Sequence, residues 1–247
     1  MELCDRGHKV TLFEADEKLG GAIKHAEYVD FKWTLNDFRK YLIRQVEKRD
    51  IDVRLNTRAT PEMVRAEGFD MVIPALGATP SLPPIPGIDK PHVMVATQSM
   101  IHPETVGQNV VVIGGGEVGV EAGMNLAKKG HNVTVLEMQG KLAAESTMIH
   151  YYSMFEEAWL ALPTFHWQLN ATVTGIQDDC VTYKDQEGAE HAIPCDSVVV
   201  SLGMKPLTDE ALSFYGAGDH FYMVGDCYKP GTIQTTNRSA YVTAMKI

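Results

Sequence analysis

The sequence predicts an α/β fold built on two copies of one strand–helix–strand unit, with a small antiparallel β meander beside the second copy. Three observations carry that expectation. Residues 1–14 recur as residues 124–137, an offset of 123 (124 − 1), with seven of fourteen positions identical: Met, Leu, Gly, His, Val, Thr and Glu. A β-branched run at 110–113 enters Gly114-Gly115-Gly116-Glu117-Val118-Gly119 and then a helix-patterned stretch. Three short alternating segments fall within residues 172–194. With 247 residues, 45% of them hydrophobic, the chain is long enough for one large domain or two modest ones and too apolar for wholesale disorder.

The first copy begins inside a helix and closes as a strand on Glu14. Gly20-Gly21 marks a loop, and residues 33–48 read as an amphipathic helix with Leu35, Phe38, Leu42 and Val46 on one stripe. Residues 51–55 pattern as a strand, 61–67 as a short helix with Pro61 in its first turn, and 71–73 as another strand. Leu76-Gly77-Ala78-Thr79-Pro80 breaks the pattern, and the five prolines of residues 80–91 predict an extended crossover between domains.

In the second copy, residues 110–113 suit a strand buried on both faces of a parallel sheet. Val120, Gly123, Met124 and Ala127 are spaced for one helical face, Gly130 is a helix-ending glycine, and residues 132–136 form the next strand, closing on Glu137. Strand, glycine turn, helix, strand and terminal acid make a Rossmann-like dinucleotide-binding unit. Gly114 permits the tight turn, Gly116 lets backbone approach a pyrophosphate, and Gly119 lets the helix pack close to the strand. Free N–H groups and the helix dipole hold phosphate charge at the helix start, beside Glu117 and Val118. Glu137 lies 23 residues (137 − 114) beyond the first glycine, where its carboxylate can accept ribose hydroxyls and repel a 2′-phosphate. That favours NADH over NADPH, with Lys141 the nearby cation that opposes it. A glycine turn used only for folding is the alternative.

The first copy lacks this opening. Counterparts of Gly114, Gly116 and Gly119 would fall at positions −9, −7 and −4, so the leading strand and glycine loop are not in the sequence. A truncated reading frame or fragment is therefore expected, with unpaired edges on both neighbours of the leading strand. Glu14 keeps the ribose-acceptor position, or is a solvated acid ending a strand.

Further on, residues 148–160 pattern as a helix that Pro163 ends. Residues 172–176, 180–184 and 191–194 predict the meander, with Glu187-Gly188 at a turn. Residues 197–200 form a buried-type strand closing on Leu202-Gly203. Residues 220–224 lead into Gly225-Asp226, and residues 231–245 form a last helix. Two strands thus end alike, at Gly77 and Gly203, where backbone can approach a ligand; ordinary turn glycines are the alternative.

Composition narrows the function. Net charge is −10, from 22 basic and 32 acidic residues, without the basic footprint of a nucleic-acid binder. No apolar run reaches the roughly 20 residues of a membrane span, and the first residues show no secretory h-region, so a cytoplasmic protein is expected. Cys4, Cys180, Cys195 and Cys227 form no Cys-x-x-Cys pair and no zinc-like spacing.

The ordered set of acid-ending strand, Ala75-Leu-Gly-Ala-Thr-Pro80, Pro83-Pro-Ile-Pro-Gly87, glycine fingerprint, Leu202-Gly-Met-Lys-Pro206 and Val224-Gly-Asp-Cys227 resembles the two-dinucleotide flavoprotein reductases of the pyridine nucleotide-disulfide oxidoreductase superfamily. Residues 106–116 and Lys229-Pro-Gly-Thr-Ile-Gln234 are especially similar to the FAD/NAD(P)H half of the 2-enoate reductase and 2,4-dienoyl-CoA reductase group, related to old yellow enzyme. The resemblance covers essentially the whole chain. It implies a discontinuous, incomplete FAD domain of residues 1–85 plus 204–247, with an NAD(P)H domain of 86–203 inserted. It further implies that Glu14 contacts the FAD ribose, that Gly225 and Asp226 meet the ribityl and pyrophosphate region, and that the helix after Gly231, with Ile233 at its start, points at the flavin ring. Hydride transfer between nicotinamide and flavin needs alignment rather than a side-chain acid or base, so no catalytic residue is assigned.

Three departures accompany the resemblance: the missing first fingerprint, the absence of the FMN-binding TIM barrel and iron–sulfur cysteines that precede this module in multidomain reductases, and Pro74 where a strand should continue. The implied activity is hydride transfer from NADH to FAD, with electrons passed to an FMN or iron–sulfur partner that reduces enoate or enoyl-CoA C=C bonds. A fragment that binds NADH but holds no flavin is the alternative. An alcohol dehydrogenase would need a general base near the nicotinamide; His131 lies on the wrong side of its unit, and His150, His166 and His191 sit in no catalytic motif.

Overall fold

The computed structural model describes residues 1–146 and 150–247. Two compact units emerge: unit 1 is Met1–Glu27, Phe31–Thr79 and Met204–Ile247, and unit 2 is Tyr28–Asp30 and Pro80–Gly203.

Unit 1 opens with α1 (Glu2–Asp5) and β1 (Val10–Phe13). The expected loop after Gly20 is instead a run of 3-10 turns, Gly21–Tyr28 and Asp30–Lys32. α2 (Trp33–Glu47) matches the predicted helix, but its apolar stripe is only half-buried; the buried residue is Arg39, paired with Glu27 at 2.9 Å. β2 (Ile51–Arg54) runs parallel to β1. α3 (Pro61–Glu67) is opened by the Thr60 hydroxyl, which accepts the Met63 N–H at 3.2 Å, and closed by Gly68 at φ 70°. β3 (Met71–Val72) and β4 (Ala78–Pro80) complete this stretch.

Unit 2 follows with β5 (Val93–Val95), α4 (Ala96–Ile101), β6 (Asn109–Ile113), α5 (Glu117–Lys128), β7 (Asn132–Leu136), α6 (Tyr151–Leu160) and β8 (Phe165–Gln168). Residues 148 and 149 of the helix expected from Met148 lie outside the described residues. The meander is β9 (Thr172–Ile176), β10 (Cys180–Lys184) and β11 (Glu190–Pro194), antiparallel throughout, and β12 (Ser197–Val200) closes the unit. The main sheet is parallel, in the order β5-β12-β6-β7-β8, with the fingerprint strand β6 at its centre. Buried on both faces, β6 and β12 are near-continuous valine, as a covered parallel sheet requires. Residues 119–127 of α5 are all buried, not the single face its spacing predicts. The sheet covers one side and α4, absent from the sequence expectation, packs on another. A Cβ at Gly123 would stand 2.8 Å from the Phe165 ring, so glycine is what brings α5 down onto β8.

The chain returns to unit 1 through β13 (Met204–Pro206), which pairs with β4, α7 (Thr208–Leu212), β14 (His220–Phe221) and α8 (Ile233–Lys246). β14 lies parallel to β3. Both strands are shorter than predicted, and Pro74 gives the reason. Asp70, Val72 and Pro74 carbonyls accept the N–H groups of His220, Tyr222 and Val224 at 2.9, 3.1 and 3.1 Å, but Pro74 has no N–H to return. Among the described residues, β1-β2 and β3-β14 are separate parallel pairs. In unit 2 the matching pairs, β7-β8 and β12-β5, are joined through β6.

Among the described residues no helix is long and apolar enough to cross a membrane, no cluster of three metal-binding side chains occurs, and all four cysteines are free.

Candidate functional site

The site grows from the turn between β6 and α5. Gly114 takes φ 98°, and a Cβ on it would lie 2.3 Å from the Ser201 carbonyl oxygen. A Cβ at Gly119 would lie 1.9 Å from the Gly114 carbonyl oxygen, so that glycine seats the helix against the turn. Gly116, the residue capping α5, has open space where its Cβ would be. It presents bare backbone at a helix N-terminus with no side-chain cap, an arrangement suited to an anion. Val118 beside it is 47% exposed.

Glu137 sits at the end of β7, 6% exposed, and both carboxylate oxygens accept backbone N–H groups: Oε2 from Gly115 at 2.6 Å and Oε1 from Gln139 at 2.7 Å. The spacing predicts a ribose acceptor at Glu137; in the structure its carboxylate clamps the glycine turn, and each oxygen keeps a further lone pair. Gly115, to which the sequence reading gave no job, explains the fit: a Cβ there would meet Leu142 at 2.7 Å and Glu137 at 2.9 Å.

A pocket opens here between Gly115, Gly116, Glu117, Glu137, Gln139 and the segment 143–146. That segment is the part sequence reasoning missed. The Ala143 N–H donates to the Gly115 carbonyl at 2.7 Å, Ala143 itself takes φ 48°, and the Ser146 hydroxyl donates to the Glu117 carboxylate. Tyr151, fully buried, donates its hydroxyl to the Glu117 carbonyl at 3.2 Å. Burial, with Glu121 and Glu117 adding repulsion, pushes its phenol well above the ordinary range. No local pattern signals residues 143–146, because they are held by side chains from α6 and by the turn rather than by their own periodicity.

In unit 1, Glu14 repeats the geometry of Glu137. Its N–H donates to the Arg54 carbonyl at 3.0 Å, as that of Glu137 does to Gln168 at 2.9 Å, and its Oε1 accepts the Asp16 N–H at 3.0 Å. Gly225, Asp226 and Ile233 meet at the start of α8. Gly225 takes φ 70° and donates its N–H to the Ser239 hydroxyl at 3.1 Å. Asp226 Oδ1 accepts the Gly231 N–H at 3.1 Å and the Thr236 hydroxyl at 3.3 Å, and Ile233 is 38% exposed on the first helical turn. Gly77 and Gly203 both take positive φ, 80° and 87°, with open space around them, and neither lines the unit 2 pocket. Of the histidines, Nδ1 of His131 bonds the Gly107 carbonyl at 2.8 Å and Nε2 of His191 bonds Asp185 at 2.6 Å; none of His131, His150, His166 and His191 lines the pocket.

A family model described as pyridine nucleotide-disulphide oxidoreductase matches residues 62–240. Bilirubin reductase of Mediterraneibacter gnavus (strain CC55_001C) is 35% identical over 225 residues, 90% of this chain and 34% of that protein. Cinnamate reductase of Clostridium sporogenes (strain ATCC 7955) is 29% identical over 243 residues, 98% of this chain and 36% of that protein. Among solved structures, 2-naphthoyl-CoA reductase in complex with 2-naphthoyl-CoA superposes with a TM-score of 0.92 at 27% identity, covering 100% of this chain and 38% of that one. The chain thus spans little more than a third of the length of these relatives.

Proposed function

The chain belongs to the pyridine nucleotide-disulphide oxidoreductase family, and from that premise we propose that it moves hydride from NADH to FAD and feeds electrons to a flavin or iron–sulfur partner that reduces enoate or enoyl-CoA type C=C bonds. The observation that carries the reading is the pocket at the β6–α5 turn: open backbone at Gly116 on a helix N-terminus, faced by the buried Glu137 carboxylate. Those residues fit a dinucleotide, with Gly116 and the first N–H groups of α5 taking the pyrophosphate and Glu137 the adenosine ribose. Among the described residues, three carboxylates, Glu117, Glu137 and Glu145, and no basic side chain line the pocket, which favours a 2′-hydroxyl over a 2′-phosphate and hence NADH. On this reading the NAD(P)H domain, residues 86–203, lies within unit 2, and the FAD domain, residues 1–85 plus 204–247, takes in the whole of unit 1.

For FAD the residues of unit 1 fit in part. Glu14 offers a ribose acceptor, and the Gly225–Gly231 turn, tied by Asp226, offers backbone at the start of α8. When both nucleotides are bound, the nicotinamide supplies hydride to the flavin. This chain's own contribution is to hold and align them. Reductase names among relatives that the chain matches over 90% or more of its length support the onward step to a C=C bond. Four free cysteines suit a reducing, cytoplasmic setting.

A second reading, NADH binding without flavin, is favoured by one observation: the sequence has a single Gly-x-Gly-x-x-Gly, at residues 114–119. Purification and titration separate the two. The first expects a yellow protein, or one that FAD renders yellow, bleached by anaerobic NADH. Colourless protein that FAD cannot reconstitute, yet binds NADH by calorimetry, leaves only the second.

A further inference from the structure

Tyr152 is tied to the wall of the pocket by both ends of its side chain. Its hydroxyl faces the carbonyls of Leu142 and Ala143 at 2.6 and 2.9 Å, so its proton is shared between two acceptors. Its ring stands edge-on to the buried Trp159, 6.2 Å away at 82°, which fixes its plane. Over that ring lies the Lys141 ammonium, with Nζ 3.6 Å from the centroid. An ammonium at that distance is held by the ring quadrupole.

The opposite side of the same segment meets the glycine turn. Ala143 donates its N–H to the Gly115 carbonyl, and Leu142 packs where a Cβ on Gly115 would stand. Residues 141–143 are therefore fixed between α6 and the turn, with the Lys141 side chain turned onto Tyr152. Lys141 does not line the pocket, although it lies only four residues beyond Glu137. The one cation that the sequence places close to the ribose acceptor is held out of it.

We propose that Tyr152 is a specificity-determining positioning residue: its ring parks the Lys141 ammonium outside the ribose pocket and so sets the discrimination between a 2′-hydroxyl and a 2′-phosphate. This rests on the reading of that pocket as a dinucleotide site. A freed lysine on its four-carbon stem would reach toward the pocket mouth and offset the carboxylates there. One ammonium near a phosphate in a largely aqueous setting changes binding by about fivefold.

The test is the ratio of NADPH to NADH dissociation constants, measured by calorimetry on the full chain for wild type, Tyr152→Phe, Tyr152→Leu, Lys141→Met and the Tyr152→Leu/Lys141→Met double variant. Tyr152→Phe keeps the ring and is expected to keep the ratio while weakening both nucleotides, since the carbonyls of Leu142 and Ala143 lose their donor. Tyr152→Leu is expected to narrow the ratio by about fivefold through tighter NADPH binding, and the double variant to restore it. A purely structural role for Tyr152 would not make that narrowing depend on Lys141. Lys141→Met alone leaves Tyr152 in place and is expected to leave the ratio within about twofold of wild type, because the parked ammonium does not reach the ligand. An unchanged ratio in Tyr152→Leu, a narrowing that persists in the double variant, or weaker NADPH binding in Lys141→Met would each overturn the proposal. Wild-type protein that binds neither nucleotide would instead overturn the dinucleotide reading beneath it.

Discussion

The carboxylate of Glu137 and the backbone N–H of Gly115 are joined at 2.6 Å, across 22 residues of sequence and inside the protein. The bond ties the end of β7 to the turn that opens α5, so the acid and the glycine loop form one rigid element. Glutamine at 137 keeps the shape but replaces one acceptor oxygen with an NH2 facing an N–H donor. A buried donor left without its acceptor costs about 1–3 kcal/mol. Glu137→Gln is expected to lose stability of that order in urea unfolding and to weaken NADH about tenfold or more in calorimetry. Unchanged NADH affinity in a folded variant would remove Glu137 from the binding site.

Two glycines of the same turn separate folding from binding. A methyl at Gly119 would stand 1.9 Å from a backbone oxygen, which cannot move aside as a side chain could. Gly119→Ala is expected to destabilise unit 2 by about 3 kcal/mol or more. Gly116 has open space and φ −67°, a conformation that any residue adopts. Gly116→Ala is expected to fold with a loss under about 1 kcal/mol and, on the proposed dinucleotide reading, still to weaken NADH, because the methyl would stand where that reading brings the pyrophosphate. If Gly116→Ala binds NADH as wild type does, the pyrophosphate does not cross that position.

How far these features were legible follows from which forces hold them. The βαβ unit, α3, the meander and β12 announce themselves because local pattern and turn chemistry agree along each segment. β5, α4 and β8 do not. Val93–Val95 and Phe165–Gln168 are edge strands of the parallel sheet, held by pairing with β12 and β7, and neither carries a distinctive run of its own. Within the site, the turn made by the glycines and the place of Glu137 at the end of β7 were readable from spacing, since a strand–turn–helix–strand unit constrains them all at once. The double duty of Glu137, the packing role of Gly115 and the tie from Tyr152 were not readable, because each depends on a residue brought near only by the fold.

Alkaline pH should loosen unit 2 through a buried thiol. Burial pushes Cys195 up to about 11 from its ordinary 9.0, with Cys180, Asp196 and Asp179 acting in the same direction. A group whose folded pKa lies above its unfolded value lends stability that is full below the unfolded value and lost as pH rises through the folded one. The window is therefore pH 9 to about 11. Tyr151, raised for the same reason, acts in the same sense from its ordinary 10.0 upward and so overlaps the upper part of that window. Urea midpoints followed from pH 8 upward should fall for wild type and fall less steeply through that window for Cys195→Ala. Parallel curves would mean that Cys195 is not the group that titrates.

Asn56 and Asn170 occupy matching places after β2 and β8, and both take the left-handed conformation, with φ 52° and 53°. Their N–H groups donate to the Asp16 and Gln139 carbonyls at 3.0 and 3.1 Å, each two residues beyond the acid that ends its unit's strand. The turn is therefore tied to the loop that follows Glu14 in one unit and Glu137 in the other. Asparagine tolerates this region because its short polar side chain bonds locally, whereas a β-branched residue there is strained by about 1–2 kcal/mol. Asn170→Gly should be nearly neutral, and Asn170→Val should cost about that amount in chemical unfolding. Because the Asn170 N–H is bonded to Gln139, whose own N–H holds Glu137, the valine variant should weaken NADH more than the glycine variant does. Equal NADH affinity in the two, with the valine variant destabilised, would show that the acceptor is positioned by Gly115 alone.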